Sequence, residues 1–246
     1  KMPRFIQAIL FDLGDTLMYS LAPWQPVFDR AGRALSQSLC DKSIPVDRST
    51  FHNEFRERIE RYYAERERSL YETTSMAVLQ ELLIEKGYQN IPETLLHSAL
   101  DDYYAVTQAN WRVETDTAPT LDALQSAGYH IGLISNASDN RDVFSLVDTF
   151  GIEQYFDFIL TSAACSYRKP HHRIFELALA HWGYLPDEIA MVGDRLDADI
   201  GGARPLGIYS IWIKRRAKLL SPPPYHPDAV VETLSEIPPL LFKLAR

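Results

Sequence analysis

The stretch FIQAILFDLGDTL, residues 5–17, opens with a compact apolar run of strand length and ends in a cluster of Asp and Gly that has to be a loop. The residues after this loop decide the architecture. From about Pro23 to Trp111 the pattern is helical and nearly free of glycine, with only Gly32 and Gly87 in that span. Val27, Ala31, Ala34, Leu35 and Leu39 form one apolar stripe, and Phe51, Phe55, Ile59, Tyr62 and Tyr63 form a second on a heavily charged helix. Met76, Leu79, Leu82 and Leu83 follow the N-cap candidates Thr73, Thr74 and Ser75, and that helix stops near Gly87. Leu95, Leu96, Ala99, Tyr103 and Val106 make a fourth stripe, entered through Pro92.

Beyond Trp111 the texture changes to short apolar runs alternating with amphipathic helices. Helices are expected at 119–127, 141–150, 171–182 and 200–206, and strands at 129–135, 156–161, 189–192 and 208–213. Such alternation with short loops is the mark of a parallel sheet covered on both faces. The strand at 5–11 is one more unit of that sheet, separated from the rest by the helical insertion. A linker with four prolines is expected at 220–227, before a last short strand near 229–231 and a terminal helix. The 246 residues therefore divide into a discontinuous unit, 1–17 with 113–246, and an inserted helical unit, 18–112.

The net charge of −8 disfavours a nucleic-acid or anionic-membrane binder, since both need a basic face to replace counterions. An apolar share of 46% with 24% charged residues is that of a globular chain rather than a disordered one. Two cysteines, Cys40 and Cys165, are too few for a disulfide framework and lack zinc-ligand spacing. No run reaches the roughly 18 to 20 apolar residues that span a bilayer, and no cleavage site follows a basic leader. The expectation is a soluble cytoplasmic protein; oligomeric state stays open.

In an open parallel sheet, ligands bind beyond the carboxyl ends of the strands. The first strand delivers Asp12, Gly14, Asp15 and Thr16 there, the next Ser135 and Asn136, the third Lys169, and the fourth Asp194 with Asp197 and Asp199 beyond. Taken singly, each reads equally as a polar turn, a helix cap or a surface charge. Four such groups at successive strand ends read as one site. There is no GxxxxGK[ST] loop, GxSxG elbow or HExxH pair to rival it.

FDLGDTL, LISN, RKP before a helix, and MVGDRLDADIGGA resemble, in order, the four motifs of the haloacid dehalogenase (HAD) superfamily, over essentially the whole chain. The resemblance implies a Rossmann-like α/β core with an inserted α-helical cap. It further implies a Mg²⁺-dependent phosphohydrolase acting on a small phosphorylated metabolite through an aspartyl phosphate on Asp12. Asp12, the carbonyl of Gly14, Asp194 and Asp199 match the family's metal positions. Thr16, Ser135, Asn136 and Lys169 match the groups that hold the phosphoryl oxygens, with Lys169 supplying fixed positive charge.

One position departs from the pattern. Family phosphatases usually carry a second Asp two residues after the first, where it protonates the leaving group; this chain has Gly14. That puts a rate contribution of about 10²- to 10⁴-fold at risk. Asp15 is the neighbouring candidate for the role. Metal-free haloacid dehalogenases also lack that acid, so such a dehalogenase is one alternative, and a fold that binds a phosphorylated ligand or partner without efficient turnover is another. The retained acids Asp194 and Asp199 favour the phosphohydrolase.

Three further groups bear on the surroundings of the site. Arg56, Arg58, Arg61, Arg66 and Arg68 alternate with Glu54, Glu57, Glu60, Glu65 and Glu67, which favours a solvated helix with i, i+4 pairs over an anion-recognising face. His171 and His172 read as surface residues at a helix start. Tyr19 and Trp24 read either as a wall facing the substrate or as packing that seats the insertion.

Overall fold

In the computed structural model, which describes residues 5–217 and 225–244, the chain forms an α/β fold, as the alternation of runs predicts. β1 (Ala8–Phe11) leads through the Asp/Gly loop to β2 (Met18–Ser20). Then come α1 (Trp24–Asp41), α2 (Phe51–Ser69), α3 (Ser75–Glu85) and α4 (Glu93–Gln108), and the chain returns through β3 (Trp111–Val113). After it run α5 (Thr117–Ser126), β4 (His130–Ser135), α6 (Asn140–Thr149), β5 (Phe158–Thr161), α7 (Ser162–Cys165), α8 (His172–Leu179) and β6 (Ile189–Gly193). The short α9 (Gly201–Ala203), β7 (Tyr209–Ile213), β8 (Ala229–Val231) and α10 (Ile237–Leu244) complete it. The proline-rich linker expected at 220–227 lies, through residue 224, outside the described residues. No helix among the described residues is long and apolar enough to cross a membrane.

The main sheet is parallel with strand order β5-β4-β1-β6-β7-β8. All four residues of β1 are buried because β4 and β6 flank it and helices cover both faces, which is why it reads as an unbroken apolar run. Phe11 pairs with Leu133 on one side and Val192 on the other, so the next residue, Asp12, leaves the sheet at its centre. One apolar cluster lies on each face, one built around Ile9, Phe11, Leu133 and Val192, the other around Leu10, Ile134, Phe175 and Met191. The four inserted helices have a third core of their own, with Leu35, Phe51, Phe55, Leu79 and Leu100 at its centre. Their sequence stripes point inward on it, and the expected cap residue Thr74 accepts a hydrogen bond from Ala77 N.

The expected helix at 200–206 starts earlier and is irregular. A wide π-helical turn, Leu196–Ile200, precedes α9, and a tight turn, Arg204–Leu206, ends it. The wider turn re-aims Asp199 back at the backbone N–H of Arg195 (3.0 Å), a local distortion of the kind concentrated at functional sites.

Besides contacts of α3 and α4 with α6 and the loop before it, such as Ser75 N to Ser138 O, two connections join insertion and sheet unit. The first is the antiparallel ribbon of β2 and β3, with Met18 opposite Val113 and Ser20 opposite Trp111, closed by Asn110, whose side chain bonds both Ala22 N and Ala22 O at 3.0 Å. These short strands leave no mark in the sequence because three residues carry no periodicity. The second is the segment after α2. Glu72 N donates to Ser166 O and Arg168 N to Leu70 O, and the fully buried Glu72 carboxylate pairs with Arg168, itself 3% exposed. Ser162 Oγ (2.5 Å) and Tyr62 Oη (2.7 Å) donate to the same carboxylate.

Removing one partner of a buried, hydrogen-bonded ion pair leaves an uncompensated charge and costs about 3–5 kcal/mol. Glu72→Gln is expected to lower unfolding stability by that amount in a urea titration. A loss below about 1 kcal/mol, the worth of an exposed pair, would contradict the packing described.

Candidate active site

Asp12, Ser135, Lys169 and Asp194 leave the ends of different β-units and meet at one rim, as the sheet order requires. Lys169 Nζ donates to Asp12 Oδ1 at 2.5 Å and to Ile134 O at 2.8 Å, and lies 2.8 Å from Asp199 Oδ1. Thr16 Oγ1 donates to Asp12 Oδ2 at 3.2 Å, so both oxygens of that carboxylate are fixed. Asn136 holds the lysine's backbone from both sides: its Nδ2 donates to Lys169 O (2.9 Å) and its Oδ1 accepts from Lys169 N (2.8 Å). Asp194 is anchored through its carbonyl, which accepts from Trp212 Nε1 at 2.8 Å. Gly193 leaves room for this crowding, since a Cβ there would fall 2.2 Å from Asp199 Oδ2.

The electrostatics are those of an acid cluster short of positive charge. Asp12, Asp194 and Asp199 are buried and offer ligand atoms within 4.8 Å of one another. Burial, then the charges of Asp12 and Asp199, push the Asp194 carboxyl up to about 8. Burial also raises Asp199, against the pull of Lys169. Burial alone would lower the Lys169 ammonium, but Asp12 and Asp199 outweigh it and hold it above its usual value. Lys169 supplies one positive charge against three carboxylates. One ammonium therefore serves both Asp12 and Asp199. Three buried carboxylates within 4.8 Å of one another, with surplus negative charge, are the donor set of a hard divalent cation such as Mg²⁺, so these residues fit one.

Above the cluster is a cavity of about 400 Å³, a size that suits a small metabolite. Gly14, Asp15, Ser135 and Asn136 line it with Asp12, Lys169, Asp194 and Asp199; Thr16 does not, because its hydroxyl is turned to Asp12. The insertion contributes Trp24, Phe28, Tyr63, Arg66 and Tyr103, and β3 contributes Trp111.

Trp24 is therefore a cavity wall, whereas Tyr19 sits under the Arg216 guanidinium at 4.2 Å and packs the junction. Arg66 is a correction to the reading of α2 as a solvated face: it stands 3.6 Å from the Tyr63 ring centroid and 3.3 Å from Glu72, and faces the cavity. Its neighbours Arg56 and Arg58 bridge helices instead, Arg56 to Asp29 of α1 and Arg58 to Glu85 of α3, with Arg56–Glu60 at 3.8 Å as one i, i+4 pair. His171 caps α8, and His172 is exposed beside it.

Asp142 and Trp111 do not stand out in the sequence, whereas Arg168 falls within the RKP motif. Asp142 lines the cavity from α6, accepts from Gln108 at 2.8 Å, and is pushed up to about 7 by burial.

A model of haloacid dehalogenase-like hydrolases matches residues 6–207. The chain belongs to this hydrolase family. It is 30% identical to a glyceraldehyde 3-phosphate phosphatase of Methanothermobacter thermautotrophicus over 85% of each chain. To the protein of that name from Methanopyrus kandleri it is 26% identical, over 98% of this chain and 97% of the relative. Among solved structures, a 2-haloacid dehalogenase from Pseudomonas syringae pv. Tomato superposes with a TM-score of 0.69 at 23% identity, covering 97% of this chain and 99% of that one. A HAD phosphatase from Thermococcus onnurineus gives 0.62 at 23%, covering 96% and 98%. Both enzyme types share the haloacid dehalogenase-like fold, so fold alone does not distinguish their chemistry.

Because the folded chain holds the Asp194 proton more tightly than the unfolded one, metal-free stability falls as pH rises from the ordinary carboxylate value, about 4, towards about 8. A divalent cation held by the cluster would take the place of that proton. The rise in melting temperature on adding Mg²⁺ is expected to be larger near about pH 8 than near about pH 6, and Asp194→Asn to reduce both the pH slope and the Mg²⁺ effect. Equal shifts at both pH values would contradict the charge cluster.

Proposed function

We propose that the chain is a Mg²⁺-dependent phosphohydrolase acting on a small phosphorylated metabolite, with Asp12 as the nucleophile. The observation that carries this reading is a carboxylate at the sheet centre held between an ammonium and a hydroxyl, beside two further buried acids. The names of the relatives support the substrate class: besides the glyceraldehyde 3-phosphate phosphatases, a ribulose-1,5-bisphosphate 5-phosphatase of Halopiger xanaduensis is 29% identical over 83% of each chain.

In this reading Asp12 attacks phosphorus in line and carries the phosphoryl group as an aspartyl phosphate, which water then hydrolyses. Thr16 and Lys169 hold the carboxylate in the attacking orientation. Lys169 also faces the phosphoryl oxygens, where preorganised charge is worth most. The Ser135 hydroxyl and the backbone N–H of Asn136 take the remaining oxygens. Asp12, the Gly14 carbonyl, Asp194 and Asp199 would hold the cation. Bound there, Mg²⁺ neutralises the repulsion between the nucleophile and the phosphate and polarises the phosphoryl oxygens.

Residues 18–112 act as the cap over a core of 1–17 and 113–246, excluding bulk water and shaping the cavity. A metal-free dehalogenase has no use for the acid surplus around Asp194 and Asp199.

An aryl phosphate is expected to be turned over with Mg²⁺, to be protected by EDTA, and to be untouched by Asp12→Asn. Steady-state release of inorganic phosphate is the measurement. Turnover that persists in EDTA, or halide release from a 2-haloacid without metal, would reject the phosphohydrolase.

A further inference from the structure

Gly14 has no side chain, yet the space beside it is filled. A Cβ built there lies 3.3 Å from Trp111 Cη2 and 3.9 Å from Cζ2 and Cζ3, and these indole carbons are its three nearest neighbours. Gly14 is not among the glycines at positive φ, so its backbone conformation does not demand glycine. The constraint is volume. We propose that Trp111 packs against the place of a side chain at position 14, and that this makes turnover depend on the leaving group, so that aryl phosphates, whose phenolate needs no proton from the protein, react faster than alkyl phosphates. The proposal rests on the phosphohydrolase reading of the same site.

Trp111 is held in place through its backbone and through its ring. Its backbone pairs with Ser20 in the β2–β3 ribbon, its ring packs 4.9 Å from Trp24 at 57°, and Trp24 stacks on Phe28 at 5.3 Å and 21°. All three rings line the cavity whose floor is Asp12 and the acid cluster. In an in-line displacement the leaving group departs opposite the nucleophile, away from that floor and towards the part of the cavity walled by the insertion. There it meets flat apolar rings, which suit an aromatic group stacked offset or edge-on.

Three of the acids at the floor, Asp12, Asp194 and Asp199, form the cation cluster, and Asp15 and Asp142, which also line the cavity, are the two that substitution has to test. A phenol ionises near about 10, as tyrosine does, whereas an alcohol ionises far higher, close to water. The first can leave as its anion at neutral pH far more readily than the second.

The chemistry balances without an acid. An Asp12 oxygen bonds to phosphorus as the bond from phosphorus to the aryl oxygen breaks, and the electron pair leaves on the phenolate, which takes its proton from water. A water oxygen then bonds to phosphorus, the bond to Asp12 breaks, its pair returns to the carboxylate, and the water's proton goes to the released phosphate.

The test is the dependence of log kcat/KM on leaving-group pKa over a series of substituted phenyl phosphates and one alkyl phosphate, all with Mg²⁺. The wild-type enzyme is expected to show a steep negative slope through the whole series, with the alkyl ester at least about 10²-fold below phenyl phosphate. Gly14→Asp alone brings no gain on the alkyl ester, because the ring blocks the carboxylate. Gly14→Asp with Trp111→Ala raises alkyl turnover about 10²-fold and flattens the slope. A flat wild-type slope overturns the inference while leaving the phosphohydrolase intact, as does a gain from Gly14→Asp alone. A steeper slope in Asp15→Asn or Asp142→Asn also overturns it, since that residue would then be the acid. Absence of Mg²⁺-dependent turnover on every aryl ester removes both readings. The wild-type slope needs no variant, so a Trp111→Ala protein that fails to fold does not spare the proposal.

Discussion

Three carboxylates and one ammonium are buried together at the carboxyl end of a parallel sheet, and the mutual repulsion of Asp12, Asp194 and Asp199 is the constraint to which the rest of the molecule answers. Charges so close are tolerable out of water only when paired and hydrogen-bonded. Lys169 meets two of them, Thr16 and the Arg195 N–H satisfy further oxygens, and the negative charge left over is what a divalent cation would balance. The same arrangement that costs stability in the metal-free chain holds the Asp12 carboxylate beside positive charge, the setting the proposed mechanism needs.

Backbone features around the cluster arise from its crowding. Gly193 has no Cβ because Asp199 occupies that volume, and the π-helical turn Leu196–Ile200 swings Asp199 inward. Trp212 on β7 holds the Asp194 carbonyl, so an otherwise ordinary core strand fixes the aim of an acid on its neighbour. Asn136 plays the matching part for Lys169 by bracketing its backbone. These are positioning contacts, and they make the charged groups rigid.

The insertion is tied to the sheet unit next to the charged cluster. Arg168, whose side chain locks onto Glu72, precedes Lys169 in the chain, and Trp111, which ends the ribbon to the insertion, lies against Gly14. A shift of the helices therefore reaches Lys169 and Gly14 through one covalent step or one van der Waals contact. Tyr63 and Arg66 come to the cavity on α2 in the same way, from a helix whose charge alternation reads as a plain surface.

By itself the sequence determined the parallel α/β core, the helical insertion and the identity of the rim residues, because each depends on local periodicity or on a motif confined to one loop. Asp12, Ser135, Lys169 and Asp194 were legible since every strand end in such a sheet faces the same way. Only the tertiary structure decided what surrounds them. The turn of the Thr16 hydroxyl to Asp12, the burial of Asp142, the inward face of Arg66 and the Glu72–Arg168 pair all join residues distant in the chain or hidden by a shared polar pattern. Gly14 shows the division most clearly. The missing side chain was visible in the sequence, but the packing of Trp111, 97 positions away, against its place arises from the antiparallel pairing of two three-residue strands too short to leave any pattern.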